Sequence, residues 1–122
     1  NYDMNIKNQV DNVITLLDGV YQKYESGELT LEESKALAAD LVRNLRYHDE
    51  GYFWIDTTEG VNVVLLGSDV EGTNRYYFRD AKGVSVVKNF IELAQQSGEG
   101  YQTYWFPKAN QTKPLMKRGY VR

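Results

Sequence analysis

The run Gly51-Tyr52-Phe53-Trp54-Ile55-Asp56 sets three aromatic rings side by side and closes them with a carboxylate. In an extended strand successive side chains alternate faces, so Tyr52, Trp54 and Asp56 share one face and Phe53 and Ile55 the other. The first face brings a hydroxyl, an indole N–H and a carboxylate to apolar rings, the composition of a small-molecule pocket. The competing reading is a core whose polar tips are satisfied internally. The second face is purely apolar and suits packing on a helix, which makes Phe53 a core residue.

The run Met116-Lys117-Arg118-Gly119-Tyr120-Val121 alternates in the same way, with Lys117, Gly119 and Val121 on one face. Gly119 has no side chain and would leave space beside Lys117 for a small molecule. An ammonium aimed into a partly dry cavity is a strong, charge-assisted partner for a carboxylate. Against this stands the ordinary case of a solvated lysine. Arg118 reads as a rim or surface charge. Tyr104 joins the binding candidates, although alternation leaves open whether it or Trp105 points inward.

Catalytic chemistry finds little support. The chain has no cysteine and a single histidine, His48, placed in a connection where an exposed side chain is expected. No H-E-x-x-H, EF-hand or phosphate-cradling glycine motif is present, so no metal or cofactor is called for. Asp69, Glu71 and Asp80 hint at calcium, but their spacing matches no standard loop and solvation explains them as well. Arg79 and Asp80 precede a turn-like run and read as braces for it. The net charge of -3 argues against nucleic acid as a partner. Charge is uneven, since Lys108, Lys113, Lys117, Arg118 and Arg122 follow one another with no acidic residue between them, a segment suited to an anion or to solubility. Asn110-Gln111-Thr112 is a formal glycosylation sequon.

The elements that must position these groups follow from periodicity. Val10, Val13, Ile14, Leu17, Val20, Tyr21 and Tyr24 form one apolar helical stripe, ended by Ser26-Gly27. That stripe also suits pairing with a second copy in a homodimer. Thr30-Leu31-Glu32-Glu33 is a capping box opening a second helix to about Arg46. Residues 52–56 and 61–66 read as a hairpin, 84–96 as a third helix, and 101–106 with 115–122 as a second strand pair. Between them, residues 67–83 form a long glycine-bearing loop of the kind that is often functional. Hairpins with segregated helices predict an α+β domain in which the first helix covers one sheet face and the loop and third helix the other. With 122 residues, one domain is expected. No apolar run approaches the ~20 residues of a membrane span. The opening on Asn1 and the close within a strand-like run read as a fragment of a longer chain.

The run LTLEESKALAADLVRNLRYHDEGYFWIDTTEG, followed in order by EGTNRYYFRDAKG and GEGYQTYWFPKANQTKPLMKRGYV, resembles the single Cache domains of bacterial chemoreceptors and sensor kinases. The resemblance covers nearly the whole chain. It implies a PAS-like fold, with a helical segment over 1–46 and a sheet core over 47–122 that carries the ligand pocket. It further implies an extracytoplasmic sensor of a membrane receptor that binds a short organic acid such as acetate, propionate, pyruvate or lactate. The output would be a chemotaxis receptor or, alternatively, a histidine kinase; a domain that kept the fold as an interaction module without a ligand is the other alternative. Many relatives carry His-Pro after the second strand where this chain has Leu66-Gly67, and Arg75 is the candidate substitute donor. The ligand-binding set is therefore Tyr52, Trp54, Arg75, Tyr104, Lys117 and Gly119.

Overall fold

The computed structural model describes residues 1–107 and 111–122. Lys108 of the basic segment and Asn110 of the sequon lie outside the described residues. The long first helix, α1, spans Tyr2–Glu25, with the Asn1 side chain accepting from the Met4 N–H at 2.8 Å. It stops at Ser26, after which Gly27 takes φ +82°, a left-handed turn that costs glycine little. Helix α2, Leu31–Asn44, has the full capping box: Glu33 N–H donates to Thr30 Oγ1, and Thr30 N–H donates back to Glu33 Oε1. Such caps are worth about 1 kcal/mol. The helix closes before Arg46 because Leu45 is already extended.

Strands β1, Trp54–Asp56, and β2, Asn62–Leu65, form the first antiparallel hairpin. It is shorter than alternation predicts. Beyond Leu65 the chain turns at once through Leu66 and Gly67, both with positive φ, which ends the ladder. A register shift at Ile55/Asp56 leaves Val63 without an opposite number and sets Asn62 across from Asp56. Helix α3, Val86–Ser97, ends on Gly98 at φ +77° and leads into β3, Gly100–Pro107, which pairs antiparallel with β4, Pro114–Val121. Helix α3 starts two residues later than expected because Val84 is held outside it: Asp80 N–H donates to Val84 O, and Val84 N–H donates to Asp80 Oδ1.

The two hairpins are separate two-stranded sheets, and each is backed by its own cluster. Phe53 joins Val13, Val42 and Val64 in the first, with Ile55, Val10 and Leu17 packed against it. The apolar face of the opening motif thus meets α1 and α2, as alternation predicts. Trp54 instead packs on the second cluster of Val86, Phe90 and Tyr104. Between the hairpins lies a groove of about 1330 Å³, floored in part by Ile6, Val10 and Ile14 of α1. Across it β4 is tied to α1 in register: Arg118 to Asp3, Tyr120 to Lys7 and Arg122 to Asp11. No helix is long and apolar enough to cross a membrane among the described residues.

The loop over 67–83 is fastened at both ends. Glu71 accepts from the Leu65 and Gly67 N–H groups and from Arg43 of α2, whose guanidinium lies 3.0 Å from Oε1. Asp80 accepts from the Lys82, Val84 and Trp105 N–H groups. These bonds give Glu71 and Asp80 partners within the protein, and among the described residues no three metal-ligating side chains come together.

Candidate functional site

Between β1, β3 and α3, beneath the loop, is a cavity of about 40 Å³. Its walls are mostly aromatic and aliphatic, including Trp54, Phe78, Phe90, Tyr104 and Phe106. Tyr52, Asp56 and Arg75 supply its polar edge. A space of this size takes a few heavy atoms, since one water needs about 10–15 Å³ on a comparable measure.

Arg75 is brought to the cavity by backbone contacts made far along the chain. Its N–H donates to Gly60 O at 2.7 Å, beside the Asn62 N–H to Thr73 O bond and the isolated bridge between Val61 and Asn74. Gly60 permits this approach, having φ +92° and no room for a Cβ, which would fall 2.9 Å from the Tyr76 Cα. The guanidinium is half-buried and lies 4.1 Å from the Phe78 ring centre and 5.6 Å from that of Phe106. Burial pulls its pKa below the ordinary arginine value, with Asp56 and Tyr52 opposing the shift, and it remains a cation. Among the described residues, no side-chain hydrogen bond or ion pair ends on it. Its planar fork of donors is therefore open to an incoming acceptor.

Asp56 accepts from Asn62 Nδ2 at 2.9 Å. Burial raises its carboxyl pKa, and the bonds from Asn62 and Trp54 and the charge of Arg75 only partly offset this. Burial likewise pushes the Tyr52 hydroxyl up to about 12 and the Tyr104 hydroxyl upward, so both are neutral donors at physiological pH. Tyr104 is the inward residue of its pair. Trp105 lies on the other face, with Lys82 Nζ 4.8 Å from its ring centre.

Four of the six residues singled out from sequence, Tyr52, Trp54, Arg75 and Tyr104, line this cavity. Lys117 and Gly119 do not line it; they face the larger groove. Lys117 Nζ donates to Tyr52 Oη at 3.0 Å and lies 4.5 Å from the Tyr52 ring centre, so it stands behind Tyr52. The space that Gly119 frees is taken by protein. A Cβ there would fall 2.8 Å from Phe90 Cζ and 2.9 Å from Tyr104 Cε1. Glycine at this point lets two rings close on the strand, so the space over Gly119 itself is filled, while Lys117 borders the larger groove. Asp56, Phe78 and Phe106 are wall residues that the sequence-derived set omits. Asp56 already shared a face with Tyr52 and Trp54, and that parity was the available signal. Nothing local pointed to Phe78.

The fold and site together define a class: an α+β domain with a long leading helix and a small aromatic cavity holding an open cation. The single Cache domain 2 family matches residues 1–122, and the chain belongs to that family. It is 30% identical over 105 residues to the methyl-accepting chemotaxis protein McpP of Pseudomonas putida, covering 84% of this chain and 19% of that receptor. The chain thus spans about a fifth of the receptor's length. Among solved structures it is similar to a Cache chemosensory domain studied for carboxylic acid recognition, with TM-score 0.95, 24% identity, and 99% of this chain and 83% of that one covered. The periplasmic sensor domain of a chemotaxis protein matches with TM-score 0.92 and 24% identity over 96% and 82% of the two chains. A methyl-accepting chemotaxis protein of Vibrio parahaemolyticus matches with TM-score 0.85 and 22% identity over 98% and 77%. At these identities the structural likeness establishes the PAS-like fold.

Proposed function

We propose that the chain is the extracytoplasmic sensor of a chemotaxis receptor, and that its cavity binds a short organic acid through Arg75. The observation that carries this reading is the half-buried Arg75 guanidinium, stacked on Phe78 with its donors unengaged at the edge of an apolar cavity. A carboxylate fits that fork in two parallel, charge-assisted bonds. The neutral hydroxyls of Tyr52 and Tyr104 add donors that an anion can use, and Trp54 supplies an apolar wall. Arg75 here takes the part of the His-Pro pair absent at Leu66-Gly67. Lys117 acts at one remove, by holding Tyr52. The likeness to McpP favours a chemoreceptor over a histidine kinase.

The signal is a shift between two packings of the sheet on α1, driven only by the ligand's different affinity for each. Strand β4 suits that role, because Lys117 reaches Tyr52 at the cavity wall while Arg118 and Arg122 grip α1. Exposed Tyr21 and Tyr24 near the end of α1 support pairing with a second copy in the receptor. The module binds and signals and carries out no reaction of its own.

Thermal melting of the chain with acetate, propionate, pyruvate and lactate tests the reading. A ligand at a hundred times its Kd adds about 2.7 kcal/mol to stability. Arg75→Ala should abolish the shift while the protein without ligand still melts cooperatively. A flat response of the unmodified chain to all four acids would overturn the proposal.

A further inference from the structure

The cavity presents an anion to its ligand as well as a cation. Asp56 and Arg75 line the same 40 Å³ space, Asp56 from β1 and Arg75 from the loop. The placement of Asp56 is built into the strand: the register shift sets Asn62 opposite it, and Asn62 Nδ2 donates to Oδ1 at 2.9 Å. Asn62 is itself locked, since the same nitrogen also donates to the Ile55 and Val64 carbonyls. The carboxylate therefore cannot swing out of the wall without breaking this anchor. A carboxylate has about four acceptor positions, so the bond from Asn62 leaves acceptor capacity for a ligand. Tyr52 beside it, Tyr104 on β3 and Arg75 across the cavity are the titratable groups in the same wall, with Lys117 of β4 behind Tyr52.

We propose that Asp56 is the specificity-determining residue of this site, selecting 2-hydroxy acids over carboxylates that carry no hydrogen-bond donor next to the carboxyl group. The inference rests on the carboxylate-binding reading above. An acid whose carboxylate occupies Arg75 brings a negative charge near Asp56 in a partly dry space, where repulsion is poorly screened. A hydroxyl on the adjacent carbon offsets this by donating to Asp56. A keto or unsubstituted acid of the same size has nothing to donate. A keto oxygen adds a second acceptor facing an acceptor. Sites that hydrogen-bond a substrate hydroxyl discriminate strongly against analogues lacking it, because buried polar groups are then left unpaired.

Calorimetric titration of the chain with lactate, pyruvate and propionate is the test, as the three share size and carboxylate and differ at one carbon. Lactate should bind at least about tenfold more tightly than either of the others. Asp56→Ala should erase that preference. Asp56→Asn retains an acceptor for Asn62 and removes the charge, so propionate should bind it several-fold more tightly than it binds the unmodified chain. Equal affinities for the three acids in the unmodified chain, or an unchanged preference in both variants, would overturn the role of Asp56 and leave the carboxylate site standing. Binding of none of the three would overturn both.

Discussion

Lys117 Nζ donates to Tyr52 Oη at 3.0 Å, joining β4 of one hairpin to the segment leading into β1 of the other. This bond bridges two sheets that share no ladder. It also anchors one donor of the lysine on a hydroxyl at the cavity wall, while Arg75 lines the cavity itself. Tyr52→Phe removes the bond and keeps the ring. The expected cost is about 0.5–1.5 kcal/mol of stability, read by urea denaturation. A double-mutant cycle with Lys117→Met should show coupling between the two changes; additive effects would mean the bond contributes nothing.

Gly119→Ala should destabilise the fold by about 1–3 kcal/mol, the range for overpacking a filled core. Its methyl would press on Phe90 and Tyr104, two ring atoms within 3 Å in a cluster with little slack. Both rings line the cavity, so ligand binding should weaken in parallel. Thermal melting with and without lactate checks both effects, and unchanged stability would show that the rings yield freely.

Asp80→Asn should cost about 2 kcal/mol, because the carboxylate accepts from three backbone N–H groups and an amide would set its own N–H against one of them. Burial alone would raise the Asp80 pKa, but the N–H bonds outweigh it and hold the carboxyl below its ordinary value. Arg43, followed by two backbone N–H bonds, lowers Glu71 in the same sense against the opposing effect of burial. A carboxyl lowered on folding contributes stability that is present above its unfolded pKa and lost as pH falls through its folded pKa. The loop should therefore loosen below about pH 4, the unfolded range of these groups. Hydrogen exchange over residues 67–83 would detect the loosening, and in Asp80→Asn the acid response should persist around Glu71 and be missing around residues 80–84.

Asp56 runs in the opposite direction. Burial raises its carboxyl pKa, so its contribution is most favourable below the unfolded value and is lost as pH rises through the folded one. At neutral pH the folded state carries a desolvated charge. Asp56→Asn should consequently be more stable than the unmodified chain at pH 7, with the difference vanishing toward pH 3. Denaturant midpoints at the two pH values measure this, and a less stable variant at pH 7 would mean that the attraction to Arg75 outweighs desolvation.

Much of the architecture was legible locally. The capping box at Thr30 and Glu33, the glycine stop at Gly27 and the stripe of α1 depend on neighbours within a turn or two. Strand parity sent Phe53 and Ile55 to the helices and Trp54 to the other cluster, because alternation is a property of the extended backbone itself. Element ends were less legible. The turn at Leu66-Gly67 and the engagement of Val84 by Asp80 are settled by contacts with Glu71 and Trp105, which no local pattern displays.

The sequence by itself determined the elements and which side chains each strand sends to each face, since periodicity needs only the chain's own geometry. Tertiary structure alone decided that Arg75 and Asp56 meet in one cavity, that Lys117 stands behind Tyr52, and that Phe90 and Tyr104 fill the space at Gly119. Those relationships join residues tens of positions apart. They follow from how a loop held by Glu71 and Asp80 docks against Gly60, a matter of packing and long-range hydrogen bonds that no spacing in the sequence encodes.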